Sequence, residues 1–221
     1  MKKIEFIDSS KDFLTEEAYN TLRTNIFFCG EDKKTIAITS SFPNEGKSTV
    51  TRNLAVNFAK AGKKVLFVDA DMRKSVLIGN IEVEGEVLGL SHLLSGQAEL
   101  NEVICDVSNV DNLFAILAGS FPPNPSELLS SNKFKNLIEI VRSKFDYVII
   151  DTPPVNAVID AAIVSSLCDG TIIVVGAKKT RSKAVRETKA QLEKANGHIL
   201  GVVLNGTEIN KDSYYNKYYR N

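Results

Sequence analysis

Three short stretches of this 221-residue chain carry side chains suited to phosphate chemistry. The first is Ser40-Ser41-Phe42-Pro43-Asn44-Glu45-Gly46-Lys47-Ser48-Thr49. It ends in the G-K-[ST] pattern of a phosphate loop, with Ser41 where the first glycine of such a loop is expected. Backbone N–H groups from Asn44, Glu45 and Gly46 through Thr49 could turn around phosphate oxygens at a helix start, where the dipole favours anions. Lys47 would bridge the β- and γ-phosphates of a nucleotide, and Ser48 would give its hydroxyl to Mg²⁺. The other two stretches are acidic. Val65–Val68 runs into Asp69-Ala70-Asp71-Met72-Arg73, and Tyr147–Ile150 runs into Asp151-Thr152-Pro153-Pro154. A carboxylate at the end of a buried strand is costly unless it meets a cation or hydrogen bonds. A metal on the phosphates would meet Asp71 and Asp151, directly or through water. On an extended chain Asp69 and Asp71 point the same way, so one can serve the metal while the other faces an acceptor hydroxyl. Alone, G-K-S-T fits an ordinary strand–turn–helix, and a single Asp at a strand end fits a helix cap. All three together fit neither.

The elements that must hold these groups are legible as alternating apolar runs and amphipathic stretches. Strands are expected at Thr35–Thr39, Val65–Val68, Leu113–Leu117, Tyr147–Ile150, Thr171–Val175 and Ile199–Leu204. Helices are expected at Thr15–Phe28, with Ala18, Leu22 and Ile26 inward, and at Ser48–Ala61, Lys133–Ser143 and Lys183–Ala195. Continuously apolar strands separated by helices mean an α/β fold: a mostly parallel sheet with helices on both faces. Ligands of such sheets bind at the C-terminal strand ends, where all three motifs fall. Ser75–Gly89 and Phe121–Pro125 read as loops. Residues 1–210 read as one domain, followed by a mobile tail, 211–221. Asn205, at the end of the last strand, is a candidate adenine contact; a turn with Gly206 explains it equally well.

Hydrophobic residues make up 43% of the chain and charged residues 24%, as in ordinary globular domains. Lys plus Arg (27) equals Asp plus Glu (27), so nucleic-acid binding would need a local basic patch. The start, Met1 to Asp8, lacks the apolar core of a secretory signal, and no apolar run is long enough to cross a bilayer. Cys29, Cys105 and Cys168 are widely spaced and read as reduced structural thiols. His92 and His198 are isolated.

Taken together, Ser41–Thr49, Val65–Arg73 and Phe145–Pro154 resemble the Walker A, A′ and B motifs of the bacterial tyrosine kinases of capsule and exopolysaccharide assembly. Pro122–Leu129 is similar to a further segment of that family, and Tyr214, Tyr215, Tyr218 and Tyr219 resemble its C-terminal tyrosine cluster. The resemblance spans nearly the whole chain. It implies a P-loop NTPase fold related to MinD-like ATPases, an ATP and Mg²⁺ site made by Lys47, Ser48, Asp69, Asp71 and Asp151, and Asp69 as base for the tyrosine hydroxyl. It also implies a separate cytoplasmic kinase, recruited to the inner face of the membrane and activated by a membrane adaptor, opposed by a tyrosine phosphatase. Such kinases phosphorylate one another's tails within a ring, an octamer being one size. The family's N-terminal E-x-x-R-x-x-R, used in subunit contacts, is Glu17, Asn20 and Arg23 here, with Asn20 as a departure.

Four of six tyrosines lie between Tyr214 and Tyr219, in a polar end with Lys211, Lys217 and Arg220. Spread tyrosines would suit a core; clustered ones are reachable hydroxyls, or an aromatic tail that packs on a partner. Two rival readings share the motifs. A MinD- or ParA-like positioning ATPase carries a second lysine early in the loop, whereas no lysine lies between Lys34 and Lys47. Against a non-catalytic ATP-binding scaffold stand the intact Lys47, Asp69, Asp71 and Asp151.

Overall fold

The computed structural model describes residues 1–7, 13–75, 79, 81–83, 85 and 87–207. The tail tyrosines lie outside them. The described residues form one nine-stranded sheet. Its strands are β1 (Lys2–Phe6), β2 (Thr35–Ser40), β3 (Val65–Asp69), β4 (Ile81–Val83), β5 (Ile104–Val107), β6 (Leu113–Ile116), β7 (Tyr147–Asp151), β8 (Gly170–Gly176) and β9 (Ile199–Asn205). Their order is β4-β1-β5-β6-β3-β7-β2-β8-β9. From β6 to β9 every pairing is parallel. β4 on β1 and β5 on β6 are antiparallel.

The central strands β2, β3, β7 and β8 are buried at every residue. Helices cover both faces of the sheet, which is why these runs are apolar without alternation. α1 (Phe13–Phe28) and α2 (Lys47–Lys60) belong to one face. There Leu54 and Phe58 pack with Ile36, Ile38, Phe67 and Ile149, and the Phe58 ring stacks on Tyr147 at 4.0 Å between centroids. On the other face lie α3 (Leu90–Ser95), α4 (Leu100–Val103), α5 (Pro125–Ser130), α6 (Asn132–Lys144), α7 (Asp160–Ser165) and α8 (Ser182–Lys194). α6 buries Phe134, Leu137, Ile138 and Val141, one face at helical spacing, against Leu66, Val68, Val148 and Ile150. Its start is fixed by Ser131, whose hydroxyl accepts the Phe134 N–H at 3.3 Å.

The six strands and four long helices expected from sequence are present, with ends shifted by one or two residues. Ser75–Gly89 is not all loop: Ile81–Val83 is extended because β1 offers it an antiparallel edge. On α1 the inward residues are Leu14 and Ile26, with Tyr19 and Leu22 partly buried. Ala18 is exposed, since the helix is turned so that Tyr19 meets Asn53 on α2.

Candidate active site

The phosphate loop leaves β2 at Ser40 and enters α2 at Lys47. Ser41, the residue in place of glycine, is fully buried, and its hydroxyl pairs with Thr188 of α8 at 2.9 Å. It is not among the positive-φ residues, so nothing in its backbone calls for glycine. Glycine is needed at Gly46 instead. Its φ is 86°, and a Cβ there would lie 2.0 Å from Asn205 Nδ2. Asn44 also takes positive φ, at 64°, a region that Asn tolerates.

Glu45 and Asn205 hold the loop in shape. The Glu45 carboxylate accepts from Phe42 N–H at 2.7 Å, from Gly176 N–H at 3.1 Å, and from the Thr180 hydroxyl. Asn205 Nδ2 donates to the Glu45 carbonyl at 2.9 Å. The side chain of Glu45 thus ties the loop to the end of β8, and that of Asn205 ties it to β9. Asn205 also precedes a positive-φ glycine, Gly206, as the turn reading requires.

Lys47 is 8% exposed and sits among acids. Its Nζ donates to Asp71 Oδ2 at 3.1 Å and lies 3.6 Å from Asp151 Oδ1. Burial opposes the ammonium charge, but Asp151 and Asp71 outweigh it, and the pKa is raised. β3 and β7 are neighbours in register at Asp69 and Asp151, which is how two strand ends deliver their carboxylates to one place. Asp151 is 2% exposed and accepts from Thr51 Oγ1 at 3.2 Å; burial, opposed by Lys47, holds its pKa above the usual carboxylate range. Asp69 is 1% exposed, and burial together with the Asp151 charge pushes its pKa up to about 7.

β3 ends at Asp69. Asp69 accepts from Asp71 N–H at 3.0 Å and from Ser75 Oγ at 2.5 Å. Asp71 accepts from Lys47 and from Lys74 N–H at 3.1 Å. Arg73 pairs with Asp160 of α7, with Nε at 2.8 Å from Oδ2, and its Nη2 also reaches Ser126 at 2.8 Å. The resulting cleft of about 370 Å³ is lined by Asn44, Gly46, Lys47, Ser48, Thr49 and Asp71, with Pro153 and Pro154 opposite.

These groups fit a magnesium nucleotide. The loop presents a lysine and a hydroxyl at a helix start, and the ends of β3 and β7 add hard carboxylate oxygens. Among the described residues no cluster of three His, Cys, Asp or Glu side chains could hold a metal alone, so Mg²⁺ here needs phosphate oxygens or water as well.

Residues 33–198 match the AAA domain family. The tyrosine-protein kinase CpsD of Streptococcus agalactiae is 43% identical over 207 residues, 93% of this chain and 90% of that protein. The chain belongs to the bacterial tyrosine-protein kinases. The solved kinase domain of Escherichia coli tyrosine kinase ETK superposes on this kinase with a TM-score of 0.81 at 36% identity, covering 87% of this chain and 75% of that one. MinD of Pyrococcus horikoshii, solved with Mg-ADP, gives 0.65 at 25% identity, over 83% of this chain and 76% of its own. The P-loop NTPase fold is common to all three.

In this kinase, Glu17 and Arg23 lie on α1 and make contacts within the chain. Glu17 accepts from Asn20 Nδ2 at 3.0 Å, and Asn20 Oδ1 accepts from Asn57 at 2.9 Å. Arg23 Nη1 donates to the Asn57 carbonyl at 3.0 Å and to its Oδ1 at 2.9 Å. Asn20, the departure from the family pattern, is the middle of this network. Motif reading missed Thr51, Ser75 and the Glu45 side chain. Only Thr51 left a local signal: it lies one helical turn after Lys47, on the same face of α2.

Proposed function

We propose that this kinase binds MgATP in the cleft and transfers the γ-phosphate to tyrosine hydroxyls, including Tyr214, Tyr215, Tyr218 and Tyr219 of neighbouring subunits. The observation that carries the reading is Lys47 held between Asp71 and Asp151 in a cleft at the C-terminal edge of the sheet, with Asp69 paired to Asp151 on the neighbouring strand. Residues through 210 act as the catalytic domain and 211–221 as the substrate tail. Lys47 places its charge on the β- and γ-phosphates, and the loop amides of Asn44 to Thr49 hold the oxygens. Bound Mg²⁺, held by Ser48, Asp71 and Asp151, would neutralise phosphate charge. The tyrosine oxygen attacks γ-phosphorus as the bond to the β-bridging oxygen breaks, leaving ADP; the phenolic proton passes to Asp69. Asp69 keeps lone pairs for that proton beyond those used by Ser75 and the Asp71 amide. A carboxyl with a pKa near neutrality suits a base working at pH 7.

The likeness to CpsD supports a place in capsular or exopolysaccharide synthesis, with a membrane adaptor as activator, a tyrosine phosphatase as antagonist, and a homo-oligomeric ring as the working unit. No helix among the described residues is long and apolar enough to cross a membrane, which accords with recruitment by such an adaptor. The positioning-ATPase reading is less well supported, since the kinase domain matches better than MinD.

Mass spectrometry of the full chain after incubation with MgATP and an activating adaptor fragment tests this. Phosphotyrosine is expected on the four tail positions of the wild type and on none in Lys47→Met. A wild type that binds ATP but gains no phosphotyrosine is a scaffold, and the proposal fails.

A further inference from the structure

A local excess of charge lies beside the active site of this neutral chain. From Ala177 to Arg186 the sequence carries Lys178, Lys179, Arg181, Lys183 and Arg186 and no acid. All five side chains belong to exposed residues, in the turn after β8 and the first turns of α8. Thr180, in their midst, is the residue that reaches Glu45 of the phosphate loop. Lys183 has Glu187 at 3.9 Å, an open pair between exposed groups that neutralises little. Helix stability does not explain the arrangement. Cations in a first turn oppose the helix dipole, and α8 has no acid there to offset them.

The same patch adjoins the place where β9 ends. Ala177 N–H donates to the Asn205 carbonyl at 2.8 Å. Tyr214 follows Asn205 by nine residues (214 − 205), a span of on the order of 30 Å at full extension, so the tyrosine cluster is tethered within reach of these cations. In the unmodified segment 208–221, Lys211, Lys217 and Arg220 nearly balance the acids, so the patch finds little net charge to attract. Each phosphate added to a tyrosine brings a charge of about −1.5 to −2 and makes the segment anionic.

We propose that the basic turn from Lys178 to Arg186 is the docking surface for the phosphorylated C-terminal tyrosine cluster of the same chain. It rests on the reading that the tail is the substrate, and gives the product of that reaction a place to go. Arg181 and Arg186 supply planar forks that match phosphate oxygens, and the lysines add point charges. Tethering raises the effective concentration to the millimolar range, so individually weak pairs suffice. The docked tail lies beside the Thr180–Glu45 link.

The test uses the full chain, isolated without phosphotyrosine as confirmed by intact mass. A fluorescent synthetic peptide of residues 208–221, phosphorylated at all four tyrosines, is titrated by anisotropy against wild type and against Arg181→Glu/Lys183→Glu/Arg186→Glu. Glutamates in the first turns suit the helix dipole, so the variant is expected to fold; Arg181→Gln/Arg186→Gln serves if it does not. The phosphopeptide should bind wild type at least tenfold more tightly than the triple variant, or several-fold more tightly than the double one. Its affinity should fall several-fold between about 50 and 200 mM salt, and the unmodified peptide should not bind. Equal binding to wild type and variant overturns the proposal, as does no binding at all. So does binding of phosphatidylglycerol vesicles, lost in the variant, where the phosphopeptide does not bind: the patch then reads a membrane. Because the peptide is synthetic, its result is independent of whether the kinase phosphorylates its own tail.

Discussion

Asp69 is 1% exposed, and its carboxyl is pushed from the ordinary 3.8 up to about 7 by burial and by Asp151. Between those values the folded chain holds a proton that the unfolded chain has released, so stability falls as pH rises from about 4 to 7. Asp69→Asn removes that penalty. The variant is expected to be more stable than wild type by about 1–2 kcal/mol at pH 8 and no more stable at pH 4, read by urea unfolding, while phosphotransfer falls at least about a hundredfold. A variant less stable than wild type at pH 8 would contradict the burial argument. At this scale Lys47, Ser48, Asp71 and Asp151 were legible because each motif fixes its own residue by spacing. The hydrogen bonds of Asp69 were not, because they come from Ser75 and from the Asp71 amide, which strand periodicity does not reveal.

The phosphate loop is shaped by neighbours distant in sequence, and its variants separate two kinds of position. Ser41→Gly should leave ATP affinity within about threefold, since Ser41 takes no positive φ, but lower stability by about 1–2 kcal/mol as Thr188 loses its partner. Gly46→Ala should weaken ATP at least about tenfold, because its Cβ would strike Asn205 from a left-handed backbone. Asn205 gives a sharper test. If it serves only by tying Glu45, Asn205→Ala weakens ATP and GTP alike; a larger loss for ATP identifies an adenine contact. On the opposite face, Arg23 spends its Nη1 on Asn57 of the same chain. Arg23→Ala should therefore lower the melting temperature by a few degrees even in dilute monomer, measured by scanning calorimetry. An unchanged monomer with weakened assembly would assign Arg23 to the subunit contact alone. The E-x-x-R spacing indicates a polar helix face without saying whether that face meets this chain or another.

At the scale of the whole molecule, the six apolar strands and their helices could be read directly, most plainly β2, β3, β7 and β8, which are buried on both faces and apolar without alternation. β1, β4 and β5 could not, being short segments at one side of the sheet whose extension depends on partners far away, as Lys2 does on Cys105 and Phe6 on Ile81. The sheet brings β3 and β7 together and sets β2 beside β7, and this adjacency alone turns three separate motifs into one cleft. Lys47 is held by Asp71 and Asp151. A crystal structure with Mg²⁺ and a non-hydrolysable ATP analogue tests the account most directly. It should show Lys47 moved onto the β- and γ-phosphates, Ser48, Asp71 and Asp151 around the metal, and Asp69 facing the γ-phosphate. Nucleotide bound elsewhere, or Lys47 still paired with both acids, would contradict it.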